Sequence, residues 1–148
     1  MEERIKALTR RLQVEYVFYF IIIAAFAAVY ELNPSAFGIF IGNATSEFIL
    51  ETVSVLLTLA TIPLSLKLFN AMLLRHRSLS FELRARYYRM WSATRLISLG
   101  IVTVLNLWVY YATLNNIGGF CALICLVTAL FCCPTRKRIS SELEANEQ

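Results

Sequence analysis

The chain has 148 residues, 58% hydrophobic and 16% charged, with a mean hydropathy of +0.61. Water-soluble domains carry about 25% charged residues, so a soluble globular fold is excluded. With 14 Lys and Arg, 10 acidic residues that are all Glu, and one histidine, Asp-based catalytic dyads, carboxylate-rich metal cages and multi-histidine zinc sites are excluded too.

Four apolar runs follow in chain order: about 14–32, 48–74, 93–113 and 114–133. Crossing ~30 Å of hydrocarbon takes about 20 apolar residues. Backbone groups in lipid have no water to bond, so each run is predicted helical. Residues 1–13 precede the first run. Ile5, Leu8 and Leu12 recur there at helical spacing among Arg4, Lys6, Arg10 and Arg11. Either the first helix starts early or this segment lies on the membrane surface. Ala25-Phe26-Ala27 imitates a signal-peptidase site. The apolar run continues past it to Leu32, so an ordinary first span is expected.

The connection 33–46 holds no Lys or Arg. Its centre, Phe37-Gly38-Ile39-Phe40-Ile41-Gly42, is too short to span, so it dips into the interface or caps the bundle. The second run contains Pro63, which lacks an N–H and predicts a kink between about Leu59 and Pro63. The same run carries Glu47, Glu51, Ser54, Thr58, Thr61 and Ser65 at steps of four and three, a polar seam on one helix face. Small hydroxyl residues let membrane helices approach closely. The same row with Glu51 also suits a hydrated path in a channel or transporter.

Residues 75–92 form a second basic segment with Arg84, Arg86 and Arg89. Leu79, Leu83, Tyr87 and Trp91 recur every four residues, and Ser80 is a candidate N-cap. A helix running unbroken into the third span is predicted. The fourth run holds all four cysteines: Cys121, Cys125, Cys132 and Cys133. Cys-x-x-x-Cys is not the redox spacing, and packing is the expected role. The tail 134–148 adds Arg136, Lys137 and Arg138.

All fourteen basic residues fall in 1–13, 67–95 and the tail, whereas Glu31, Glu47 and Glu51 lie on the opposite side. The positive-inside rule places both termini and the 75–92 segment in the cytoplasm. The expected fold is an all-α integral membrane protein, one domain, an antiparallel four-helix transmembrane bundle. Counting from span centres near Ile23, Leu59 and Thr103, Glu15, Lys67 and Arg95 each lie about 12 Å toward the inner side. They form an expected inner-leaflet charge cluster. Glu15 is expected to choose Arg95, whose guanidinium fork suits a carboxylate.

In size and span count the chain is similar to the small multidrug-resistance transporters. It differs in having Glu15 at the inner edge, spans that are not glycine-rich and a one-sided charge bias. No family follows from this. No cofactor and no nucleic-acid partner are expected. Two functions remain. The preferred one is a small non-enzymatic interaction or accessory protein of a bacterial inner (plasma) membrane. Its basic cytoplasmic face, Arg84, Arg86, Arg89, Arg136, Lys137 and Arg138, would meet a partner protein or anionic lipid, as a homo-oligomer or within a larger complex. The other is a small oligomeric channel or ion- or proton-coupled transporter using Glu51 and the span 2 seam.

Overall fold

The computed structural model describes residues 2–75 and 80–133, together with Thr135, Lys137, Ile139 and Ser141. Those residues form four α-helices: α1 (Glu2–Leu32), α2 (Ala44–Arg75), α3 (Phe81–Thr113) and α4 (Asn116–Phe131). The first three are each long and apolar enough to cross a membrane. The fourth is apolar but has 16 residues, about 24 Å of helix.

α1 is continuous from Glu2, so the basic N-terminal segment and the first apolar run are one helix. α2 likewise runs through Pro63 without ending. α3 starts at Phe81 with Ser80 at the N-cap position. The Ser80 side chain makes no capping bond. Leu79 and His76 lie outside the described residues.

α4 is shorter than the 114–133 expected for the fourth run. Leu114 and Asn115 are not helical: they are the whole connection between α3 and α4. Leu114 sits in the left-handed region (φ 53°), and its N–H bonds the Tyr110 carbonyl at 2.8 Å. This closes α3 with a single αL cap. Asn115 is extended and leads into α4. Apolar composition cannot reveal such a turn, because a leucine occupies its strained position.

The connection between α1 and α2 folds over the C-terminal end of α3. The Gly38 and Phe40 N–H groups donate to the Tyr111 and Ala112 carbonyls, at 2.9 and 3.2 Å. Two of the last carbonyls of α3, which have no helical partner, are thereby satisfied. Gly38 has φ +66°, where a side chain would be strained. Tyr111 is stacked between Tyr30 (5.0 Å between ring centroids) and Phe37 (5.3 Å). The segment therefore covers the C-terminal ends of α1 and α3.

α3 is the central helix. It packs against α1, α2 and α4, and 44% of its apolar window is buried, against 17% for α1 and α2. Much of the remaining surface is apolar, including Phe18, Ile21, Phe48, Leu56, Leu59, Leu64, Ile97 and Leu130. In lipid such surfaces gain little from association, so close packing and polar contacts must hold helices together. The α4 face that meets the bundle is small: Gly118, Cys121, Ala122, Cys125 and Ala129. A Cβ on Gly118 would stand 2.7 Å from both the Asn106 carbonyl oxygen and the Tyr110 nitrogen. Only glycine allows α3 and α4 to approach this closely. At the basic end, Ile5, Leu12, Phe69, Tyr88 and Ile139 form a separate apolar cluster. It ties residue 139 to α1, α2 and α3.

Candidate functional site

The polar seam of α2 divides into three parts. At its N-terminal end, Glu47 and Glu51 are half-buried and each holds a connection. Glu47 Oε1 accepts from the Gly42 N–H at 3.2 Å, across the first turn of α2. Its charge there also opposes the positive end of the helix dipole. Glu51 Oε1 accepts from Asn115 Nδ2 at 2.5 Å, fastening the α3–α4 turn to α2.

The middle of the seam closes on a residue that the seam itself does not contain. Asn106, on α3, is fully buried. Its Oδ1 accepts from Ser54 Oγ at 2.5 Å. Its Nδ2 donates to Thr58 Oγ1 at 2.8 Å and approaches Cys125 Sγ of α4 at 3.9 Å. Thr58 Oγ1 in turn donates to the Ser54 carbonyl at 2.9 Å. One carboxamide supplies both an acceptor and donors, so it satisfies two hydroxyls of the neighbouring helix at once. One turn away on α3, Thr103 donates to the Leu99 carbonyl and lies 3.3 Å from the Tyr19 hydroxyl of α1. All four helices thus reach a buried polar layer at mid-bundle. Sequence reading misses Asn106. Its signal is an amide in the middle of an apolar run, an expensive placement in a membrane.

The lower part of the seam is different. Ser65 donates to the Ile62 carbonyl at 3.0 Å. With Thr61 it lines a groove of about 200 Å³ between α2 and α3, whose α3 wall includes Arg95.

Glu15, Lys67 and Arg95 are arranged differently from the sequence expectation. Glu15 bonds Arg89, not Arg95: Oε1 accepts from Nη2 at 2.8 Å and from Nε at 3.1 Å. Arg95 is buried, with its guanidinium 4.3 Å from the centre of the Phe69 ring of α2. Its Nη2 donates to the Cys132 carbonyl just beyond α4 at 3.5 Å. Lys67 is exposed. The reason is azimuth. Positions 89 and 95 differ by six residues, about 240° of rotation at 3.6 residues per turn. Arg95 therefore turns toward α2 and α4, and Arg89 toward α1. Counting depth alone ignores this rotation. Glu15 and Arg95 still line one cavity of about 10 Å³ together with Cys132. That is roughly the room one water needs. Glu15 Oε2 is buried there without a hydrogen-bond partner.

Of the expected basic surface, Arg86 and Lys137 are exposed, Arg84 is half-buried and Arg89 is engaged with Glu15. Arg136 and Arg138 lie outside the described residues. Arg4 pairs with Glu82 across α1 and α3, both exposed. The cysteines Cys121, Cys125 and Cys132 are buried and Cys133 is exposed.

Comparison with known proteins gives no relative: no family model, no curated protein and no solved structure matches the chain.

Proposed function

We propose that the chain is an antiparallel four-span membrane bundle acting as a small non-enzymatic interaction or accessory protein. The observation that carries this reading is the closure of the α2 seam on Asn106. A hydrated path needs polar groups turned toward water. Here Ser54 and Thr58 are buried and bonded to Asn106, and Glu51 is spent on a turn. These groups hold helices together, which leaves the charged end as the surface available for recognition.

The antiparallel arrangement is supported by which residues meet. Numbers rise together between α1 and α3 (Glu15 with Arg89, Glu31 with Tyr111). They run oppositely between α2 and α3 (Glu51 with Asn115, Phe69 with Arg95). A fourth crossing is supported by α4 lying along α3 from Tyr110, beside Gly118, to Arg95, beside Cys132. A buried cation at the end of α4 also suits the negative end of the helix dipole. The one-sided distribution of basic residues supports a cytoplasmic setting for both termini. The setting we propose is a bacterial inner membrane, where the basic face meets anionic lipid or an acidic partner protein, as a homo-oligomer or within a larger complex.

The test is proton flux in proteoliposomes bearing a pH gradient and an internal pH dye. An interaction protein should leave the decay at the rate of protein-free vesicles. Faster decay that Glu51→Gln abolishes would overturn this role in favour of a transporter.

A further inference from the structure

A groove runs along the flank of the α1–α3 contact. It has a volume of about 680 Å³ and is walled mainly by apolar residues, among them Phe18, Ile22, Ile97, Gly100, Ile101 and Val104. Glu15 stands at its inner end. Its α3 wall extends from Ala93 to Leu105, about 18 Å along the helix axis. That suits a single hydrocarbon chain rather than a compact solute.

The charges below this groove follow the same two helix stripes. On α1 the stripe reads Arg4, Leu8, Arg11, Glu15, Phe18, Ile22, in steps of four, three, four, three and four. On α3 it reads Glu82, Arg86, Arg89, Ala93, Ile97, Gly100, Val104. Residues three and four apart share a helix face. The two stripes meet, because Arg4 pairs with Glu82 and Glu15 with Arg89. Between those two ion pairs stand Arg11 and Arg86. Both are exposed, and among the described residues neither has an acidic partner. Two cations on facing stripes, with no carboxylate between them, stand one helical turn below the Glu15–Arg89 pair at the end of the apolar trough.

We propose that this groove is a binding site for an anionic phospholipid, with its phosphate held by Arg11 and Arg86 and one acyl chain lying along α3 from Ala93 to Val104. The proposal rests on the reading of the basic end as a recognition surface and gives that surface a ligand and a place. Charge and shape agree. Guanidinium groups bind phosphate oxygens through paired donors, and the headgroup stands where helix meets water while the chain stays in hydrocarbon. The Glu15–Arg89 pair separates the two zones. It neutralises the carboxylate that would otherwise repel the phosphate.

The experiment is native mass spectrometry of the full chain, released from detergent with equal amounts of phosphatidylglycerol and phosphatidylcholine of identical acyl chains. The wild type is expected to retain phosphatidylglycerol preferentially. Two surface arginines give a preference of about 30-fold, falling as salt rises. Arg11→Gln with Arg86→Gln should abolish the preference, and both residues are exposed, so the fold is not at stake. Ala93→Trp, which fills the groove, should reduce retention of both lipids. A preference that survives in the double variant but disappears with Arg84→Gln and Lys137→Gln would overturn this site while leaving the basic-face reading standing. No preference in the wild type would overturn the site and the lipid arm of that reading together. A disulfide joining two copies of the Ile97→Cys variant through the introduced thiol would show the groove to be a helix seat, and would overturn the proposal.

Discussion

Removing the Asn106 carboxamide should loosen the bundle by an amount that its bonds allow to be calculated. The side chain makes two good interhelical bonds, with Ser54 and Thr58, and one weak contact with Cys125. Such bonds within a membrane average ~0.6 kcal/mol each and reach ~1.7. The hydroxyls are not left stranded in the variant. Thr58 keeps its bond to the Ser54 carbonyl, and a helical serine can turn to a carbonyl in the preceding turn. Asn106→Leu, which keeps the volume, should therefore cost about 1–2 kcal/mol. Asn106→Ala removes a side chain that is 0% exposed, so a cavity adds to the loss, for a total of about 2–4 kcal/mol. Equilibrium unfolding in mixed micelles with rising dodecyl sulfate measures both. A leucine variant as stable as the parent would refute the claim that this amide joins α2 to α3.

Gly118→Ala should destabilise by about 1–3 kcal/mol in the same assay. The new methyl meets backbone atoms at 2.7 Å, and no rotamer change can relieve that; an unchanged midpoint would contradict the close crossing. A double-mutant cycle of Glu15→Gln and Arg89→Gln should give a coupling of no more than about 1 kcal/mol, because the pair is partly exposed. The same cycle with Arg95→Gln should give a smaller value, and the reverse order would restore Arg95 as the partner. Leu114→Asn should stabilise by about 0.5–1 kcal/mol, since asparagine accepts the left-handed conformation that leucine resists. A lowered midpoint would show that the Leu114 side chain matters more than its backbone strain.

The sequence makes the helices legible because apolar runs of spanning length permit nothing else in lipid. It also makes one face of α2 legible, because hydroxyl and carboxyl residues at steps of three and four share a side. What that face meets is hidden. No second row matches the first; a single amide, Asn106, satisfies Ser54 and Thr58 together. The pairing of Glu15 escapes the sequence for a related reason. Depth along a helix can be counted from residue numbers, but azimuth relative to a neighbour depends on how the helices are packed. Arg95, at the expected depth, faces Phe69, and Glu15 is met by Arg89 from a lower turn. Leu114 conceals the α3–α4 turn because the bond that stabilises it comes from the backbone and leaves no trace in residue type.

Whether the seam of α2 is dry and packed decides between an interaction protein and a water-filled path, and a native cysteine reports on it. Cys125 is 0% exposed and lies against Asn106, while Cys133 is exposed at the basic end. The reconstituted protein is treated with a charged, water-soluble methanethiosulfonate on both sides of the membrane, and modification is located by peptide mass spectrometry. A packed seam predicts rapid modification of Cys133 and none of Cys125 over the same time. Modification of Cys125 at a rate near that of Cys133 would mean that water reaches mid-bundle along the seam, and would contradict the packed seam and the interaction role built on it.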